Sequence, residues 1–247
     1  MNYLFSRVRR ELEERWSIPG HANRQRARQA ESRVLLIDFA GSDLQLGGAE
    51  TVLRRSILDS QAANEAYFQG HESGSFDGVI MCLQLAWLEL ETVLTEIFRL
   101  LRPGGKLLFC TFGPDTLQQL RWAWNQVDQL PHVHPFVDLH NIGDLLLQSG
   151  FASPIVDADW VTVEYGDANV IHADLRRQGL VNILSDRRKT LTGKGRYEKY
   201  CEKLEGLHDP GESLNITYEL IYGVATVPEN GVRIDFEAKR DQTLFSS

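Results

Sequence analysis

The chain has 247 residues, 43% of them hydrophobic, and a formal net charge of -8. Such a length can bury a full core as one domain with an insertion, and so acidic a balance excludes a general nucleic-acid binder. No apolar run approaches the roughly 18 to 20 residues of a membrane span, and the first residues lack the apolar core of a signal peptide, which predicts a cytoplasmic protein.

The charge is unevenly spread. Residues 1–30 hold seven Arg against three Glu, and residues 175–199 hold eight Lys and Arg against Asp186 and Glu198. Either island could meet an anionic partner or serve as a solvated helix face. Cys82, Cys110 and Cys201 are widely spaced and form no CxxC pair, as expected of reduced core thiols.

In chain order, Phe5, Val8, Leu12 and Trp16 fall on one stripe of a first helix that Pro19-Gly20 ends. Arg33 to Ala40 reads as a buried strand, Gly41 to Gly48 as a polar loop, and Ala49 to Ala66 as a helix. Phe76 to Met81 is the next strand, and Leu88 to Leu101 an amphipathic helix. Arg102-Pro103-Gly104-Gly105 stops that helix, since proline cannot continue it and glycine accepts the positive φ of the reversal. Lys106 to Phe112 is nearly all apolar, the pattern of a strand covered on both faces in a parallel sheet. Gly113-Pro114-Asp115 predicts a helix start, followed by an apolar face of Leu117, Leu120, Trp124 and Val127.

Beyond it, Asp138 caps a helix running through Ile142, Leu145 and Leu146 to Gly150. Trp160 to Tyr165 alternates as a half-buried strand. Helices follow at Asp167 to Gly179 and along Tyr197, Tyr200, Cys201, Leu204 and Leu207. The basic segment Asp186 to Arg196 lies between them. Ile216, Tyr218, Leu220, Tyr222 and Val224 give a last strand. From Pro228 the chain reads as a tail in which Val232, Ile234 and Phe236 could form an edge strand. Helices alternating with buried strands predict an α/β, doubly wound sheet. His132 and His134 form an HxH pair that could place two imidazoles on one face. Their segment leads into the helix that Asp138 caps, so a packing role is expected and no metal is assigned.

FDGVIM, RLLRPGGKLLF and the helix ending in Gly150-Phe151 resemble the later half of class I S-adenosylmethionine (SAM)-dependent methyltransferases. TFGPDTLQQLR, HVHPFVDLHNIGDLL, SGFASPIVD, LTGKGR and TYELIYGVA are similar to the malonyl-acyl carrier protein O-methyltransferase family of biotin synthesis. The resemblance implies a mostly parallel sheet with an antiparallel last strand, abbreviated in its first half. It also implies a helical lid insertion at 166–210 within a single domain 1–227, with 228–247 as tail.

It further implies SAM as cofactor, held by Asp38, Gly41, Asp59, Asp77, Cys82 and Leu83. Of the family's glycine-rich loop only Gly41 is kept, Cys82 replaces a usual polar residue, and the strand expected before Asp59 has no clear sequence signal. These departures predict a weaker hold on SAM. They also open a second reading, a cofactor-free pseudo-methyltransferase that acts by binding a carrier protein or as an assembly protein.

Methyl transfer to a carboxylate needs alignment more than base catalysis, because the nucleophile is already ionised. A malonyl thioester offers one free carboxylate, so an Arg that grips it is the expected anchor. Arg121 is the first candidate; Arg187 and Arg188 are the others. The implied partner is malonyl-acyl carrier protein or another acidic carrier protein. Arg187, Arg188, Lys189, Lys194 and Arg196 are the expected docking charges.

Overall fold

The structure, a computed structural model, describes residues 3–17, 33–39, 51–55, 68, 70–177, 180, 182–209 and 211–229. Its strands are β1 (Val34–Phe39), β2 (Thr51–Arg55), β3 (Phe76–Cys82), β4 (Leu101–Phe112), β5 (Ala152–Tyr165) and β6 (Leu214–Thr226). Its helices are α1 (Tyr3–Ser17), α2 (Leu90–Leu100), α3 (Gln118–Asn125), α4 (Leu139–Gln148), α5 (Ala168–Arg177) and α6 (Lys194–Glu205). The sheet order is β2-β1-β3-β4-β6-β5.

β1 pairs in parallel with β2 and β3, and β3 with β4. β6 runs antiparallel to β4. Gly104 N–H donates to Val227 O (3.0 Å) and Val227 N–H to Gly105 O (2.8 Å), while Gly113 N–H donates to Glu219 O (2.9 Å). The mostly parallel sheet with an antiparallel last strand is therefore present. The chain divides into two compact units. One comprises 1–111, 138–157 and 221–247; the other comprises 112–137 and 158–220, which includes the helices of 166–210.

In the first unit the core is the apolar run the sequence displays. Val34 to Ile37, Val79 to Met81 and Leu107 to Cys110 are all buried to within about 1%. Burial on both faces explains why these strands do not alternate. α1 contributes Leu4, Val8 and Leu12, spaced at helical intervals and fully covered. Phe5 and Trp16, placed on the same stripe by sequence, are only half-buried. Arg15 anchors α1 through a bidentate pair to Asp157 on β5, at 2.9 and 3.0 Å, and its guanidinium lies 4.7 Å over the Tyr222 ring. Gly223 is a close-approach glycine: an added Cβ would fall 2.1 Å from the Phe109 ring.

Four expectations are corrected. The predicted helix over 49–66 contains a strand instead: Thr51 to Arg55 run alongside Leu35 to Phe39. A β-branched pair in Thr-Val-Leu-Arg-Arg suits that extended backbone, and the ladder to β1 outweighs the helical tendency of the flanking residues. The remaining residues of that stretch, 49, 50 and 56–66, lie outside the described residues, as do 18–32 and the possible edge strand at Val232 to Phe236. The helix predicted from Pro114 starts only at Gln118, because a turn fixed by β6 occupies 114–117. The strand predicted at 160–165 begins at Ala152. β4 begins at Leu101, since Gly104 (φ +74°) and Gly105 pair with Val227 rather than merely closing a helix.

Candidate functional site

The order β2-β1-β3-β4 has a direct consequence for where a ligand fits. The chain passes from β1 outward to β2, then returns across β1 to lay β3 on its other side. In an open α/β sheet the crevice at such a reversal, beyond the strands' carboxyl ends, is where ligands bind. Here those ends are Asp38-Phe39 on β1 and Cys82-Leu83 on β3. The register Val34↔Gly78 through Ile37↔Met81 brings them to the same edge. The backbones of Asp38, Cys82 and Leu83 thus lie toward the same edge of the sheet. Gly41 and Asp59 lie outside the described residues.

Asp77 does not belong with them. It is the second residue of β3 and stands at the opposite, amino end. Its carboxylate pairs with Arg102 and accepts from Arg33 N–H (3.0 Å), while its own N–H donates to Arg33 O (2.8 Å). An acid engaged by a structural ion pair at the wrong end of the strand is no cofactor ligand, and the assignment is corrected.

The conformation of Leu83 and the burial of Gln84 have no signal in the sequence. Leu83 is fully buried with φ +58°, a left-handed conformation that a branched side chain disfavours. Its N–H is fixed to Cys110 O at 2.8 Å. Gln84 is 2% exposed, and its Nε2 has no hydrogen-bond partner among the described residues. The residue type was visible in CLQLAW, but nothing in the sequence marked its burial. The thiols are quieter: burial pushes Cys110 well up, so it stays protonated, and Cys82 lies beside it in register. Trp87 is buried, 7% exposed, in a short 3-10 turn at Leu85–Trp87.

The second unit holds the candidate anion-binding arginines. Arg121 donates from Nη1 to Pro114 O (2.9 Å) and from Nη2 to Thr116 O (3.2 Å). Its fork is therefore engaged in clamping the turn before α3. Burial lowers its pKa, with the Asp115 charge opposing. That turn is also bound to Glu219 of β6, another residue not foreseen. Glu219 Oε2 accepts from Asp115 N–H (2.8 Å), and Thr116 Oγ1 both donates to Glu219 O (3.0 Å) and accepts from Glu219 N–H (3.1 Å).

Arg187 is exposed, and its Nη1 donates to Leu184 O (2.8 Å). Arg188 is mostly covered. It reaches Asp128 Oδ2 and Thr190 Oγ1, each at 3.3 Å, and its Nε is buried without a partner among the described residues. Burial pushes the Asp128 carboxyl up, but hydrogen bonds from His132, Leu130 N–H and Arg188 outweigh it and hold it below the usual range. His132, 2.8 Å from Asp128, stacks on Trp124 at 3.8 Å, and Trp124 stacks on Tyr200 at 4.2 Å. His132 therefore serves packing and orientation. Trp122 is 44% exposed. Among the described residues no group of three or more His, Cys, Asp or Glu is arranged to hold a metal ion, and no helix is long and apolar enough to cross a membrane.

Comparison with known proteins decides the family. A family model described as a methyltransferase domain matches residues 19–109. A malonyl-acyl carrier protein O-methyltransferase of Laribacter hongkongensis is 34% identical over 227 residues, covering 89% of this chain and 76% of that protein. The chain belongs to the malonyl-acyl carrier protein O-methyltransferase family. The relative from Xylella fastidiosa is 40% identical over 155 residues, and the match spans about half of that protein's length (52%). A methyltransferase structure from Bacillus halodurans superposes with a TM-score of 0.50 at 13% identity, covering 83% of this chain and 96% of that one. That likeness establishes the class I methyltransferase fold. The relationship to the Laribacter protein takes in β3 and β4, the GPDTL turn and the segment that carries Arg188.

Proposed function

We propose that this protein is a SAM-dependent O-methyltransferase that esterifies the free carboxylate of malonyl-acyl carrier protein in biotin precursor synthesis. The observation that carries the reading is the 34% identity to the Laribacter enzyme over 89% of the chain. The residues present fit the cofactor. Asp38 is the penultimate residue of β1 at the switch point, Leu83 holds a constrained backbone just after β3, and Gln84 keeps a buried donor without a partner among the described residues. Asp38 would hold the cofactor from β1, with Cys82 and Leu83 bordering it from β3; Gly41 and Asp59 are carried over from the family pattern. SAM supplies an electrophilic methyl group on a sulfonium.

The chain's own contribution is then to bind and orient. A malonyl carboxylate is already an anion at neutral pH, so it must be gripped and kept reactive rather than deprotonated. Arg188 suits the grip: its guanidinium is held by Asp128 and retains a buried Nε–H. A guanidinium already shared with Asp128 neutralises a second carboxylate only in part, which leaves the nucleophile effective. Arg187, Lys189, Lys194 and Arg196 are exposed around Leu191, which is 96% exposed. Such a basic segment with an apolar tip suits an acidic carrier protein, through attraction that salt screens over about 8 to 10 Å. The alternative of a cofactor-free binding protein draws no support from the comparisons.

The test is transfer of isotope-labelled methyl from SAM to purified malonyl-acyl carrier protein, released again as a base-labile ester. Label on the malonyl group is expected. Its absence with a cofactor-binding protein would overturn the substrate assignment. Arg187→Glu with Lys189→Glu is expected to raise KM for the carrier protein and flatten its salt dependence, leaving kcat nearly unchanged.

A further inference from the structure

The turn after β3 carries an observation that the family relationship does not assign. Gln84 follows β3 by two residues, at the edge where the strand order reverses. It is 2% exposed, yet its Nε2 meets no acceptor among the described residues. A buried amide NH2 normally finds a partner, since stripping it of water without replacement is unfavourable. The neighbouring backbone is fixed around it. Leu83 is held left-handed by its bond to Cys110 O, and Trp87 N–H returns to Gln84 O at 3.3 Å to close the 3-10 turn. Strain and an unused donor on consecutive residues are the marks of a site shaped for something other than its own packing.

We propose that Gln84 is a hydrogen-bond donor to the cofactor, its Nε2 reaching an acceptor of bound SAM or S-adenosylhomocysteine. The inference rests on the reading that SAM binds at the β1/β3 edge, and it assigns a specific contact within that site. It also answers the loss of the glycine-rich loop: a side-chain donor from the β3 turn replaces hold that the chain's β1 loop lacks. A free Nε2 explains why the position tolerates a buried polar group, because the partner arrives with the ligand.

The experiment measures two quantities on Gln84→Met and Gln84→Glu: the Kd for S-adenosylhomocysteine by calorimetry, and the Tm of the ligand-free protein. Met keeps the shape without polar atoms, and Glu keeps the polarity without the donor. Both variants are expected to bind at least tenfold more weakly, while ligand-free Gln84→Met has a Tm equal to or above wild type. Repeating the titration with methylthioadenosine locates the contact: a loss that persists places it on the adenosine, a loss that vanishes places it on the amino-acid end. Unchanged affinity in both variants, or a lowered Tm in Gln84→Met with affinity kept, would show that the donor serves the fold and overturn the inference. A wild-type protein that binds no S-adenosylhomocysteine would instead refute the cofactor reading beneath it.

Discussion

Two turns of this chain begin alike and end differently. Each follows a strand of the sheet, β3 or β4, and each contains a buried leucine with φ +58°, Leu83 and Leu117. The turn after β4 is closed on itself. Glu219 takes the N–H groups of Gly113 and Asp115 and exchanges two bonds with Thr116, Thr217 O takes Leu117 N–H, and Arg121 covers two carbonyls. The turn after β3 fixes its backbone but leaves Gln84 Nε2 without an acceptor among the described residues. The same strained conformation thus serves two ends. After β4 it sets a helix start among matched polar groups; after β3 it stands beside a donor that meets no acceptor among the described residues, the position proposed above to take a ligand. Arg121 donates its fork to the β4 turn, whereas Gln84 keeps a donor unmet among the described residues.

Breaking the scaffold that the two turns share gives the largest effect. Leu108 is fully buried in β4, and Leu108→Ala is expected to destabilise by about 2 to 5 kcal/mol in chemical denaturation. A loss below about 1 kcal/mol would mean that β4 is not the centre of the sheet. Next is the closed turn. Gly113→Ala would place a Cβ 2.3 Å from Glu219 Cδ, and Glu219 cannot move without releasing Asp115 N–H. We expect a loss of about 1 to 3 kcal/mol, typical of overpacking. Arg121→Met should cost about 1 to 2 kcal/mol of stability through its two lost hydrogen bonds and leave KM for the carrier substrate within twofold. The opposite pattern, unchanged Tm with a large rise in KM, would restore Arg121 as the carboxylate anchor.

The smallest effect separates an unmet donor that waits for a ligand from one that does not. Lys106 is buried beside Trp16, with Nζ 5.6 Å from the ring centre, and burial lowers its pKa from 10.5 to about 8. Between those values the unfolded chain binds more protons than the folded one. Stability therefore rises with pH from about 8 to 10.5, and below 8 the burial penalty is fully present. Lys106→Met is expected to raise Tm at pH 7, remove that slope and leave S-adenosylhomocysteine affinity unchanged. A fall in Tm would mean that the ammonium's contact with Trp16 outweighs its desolvation.

The sequence displayed what repetition and composition encode. The apolar runs of β1, β3 and β4, the Asp138 cap and the helical stripe of α1 are local patterns, and the structure has them. β2 was missed because five residues, Thr51–Arg55, are too few to show a period, and their conformation depends on pairing with β1. The late start of α3 was missed for a similar reason: the Gly113-Pro114-Asp115 signal is genuine locally, but Glu219, about a hundred residues away, competes for Asp115 N–H. Asp77 misled because sequence gives no strand direction relative to the site; the register of β3 against β1 supplies it. Gln84 and Glu219 are ordinary residue types whose importance lies in burial, which no motif records.

The central claim is that the carboxyl edge of β1 and β3 holds SAM even though only Gly41 remains of the loop's glycines. Calorimetric titration of the purified wild-type protein and of Asp38→Ala with S-adenosylhomocysteine tests it most directly. The account predicts saturable one-site binding to the wild type and at least tenfold weaker binding to a folded Asp38→Ala. No binding to the wild type, or equal binding to both, would contradict it.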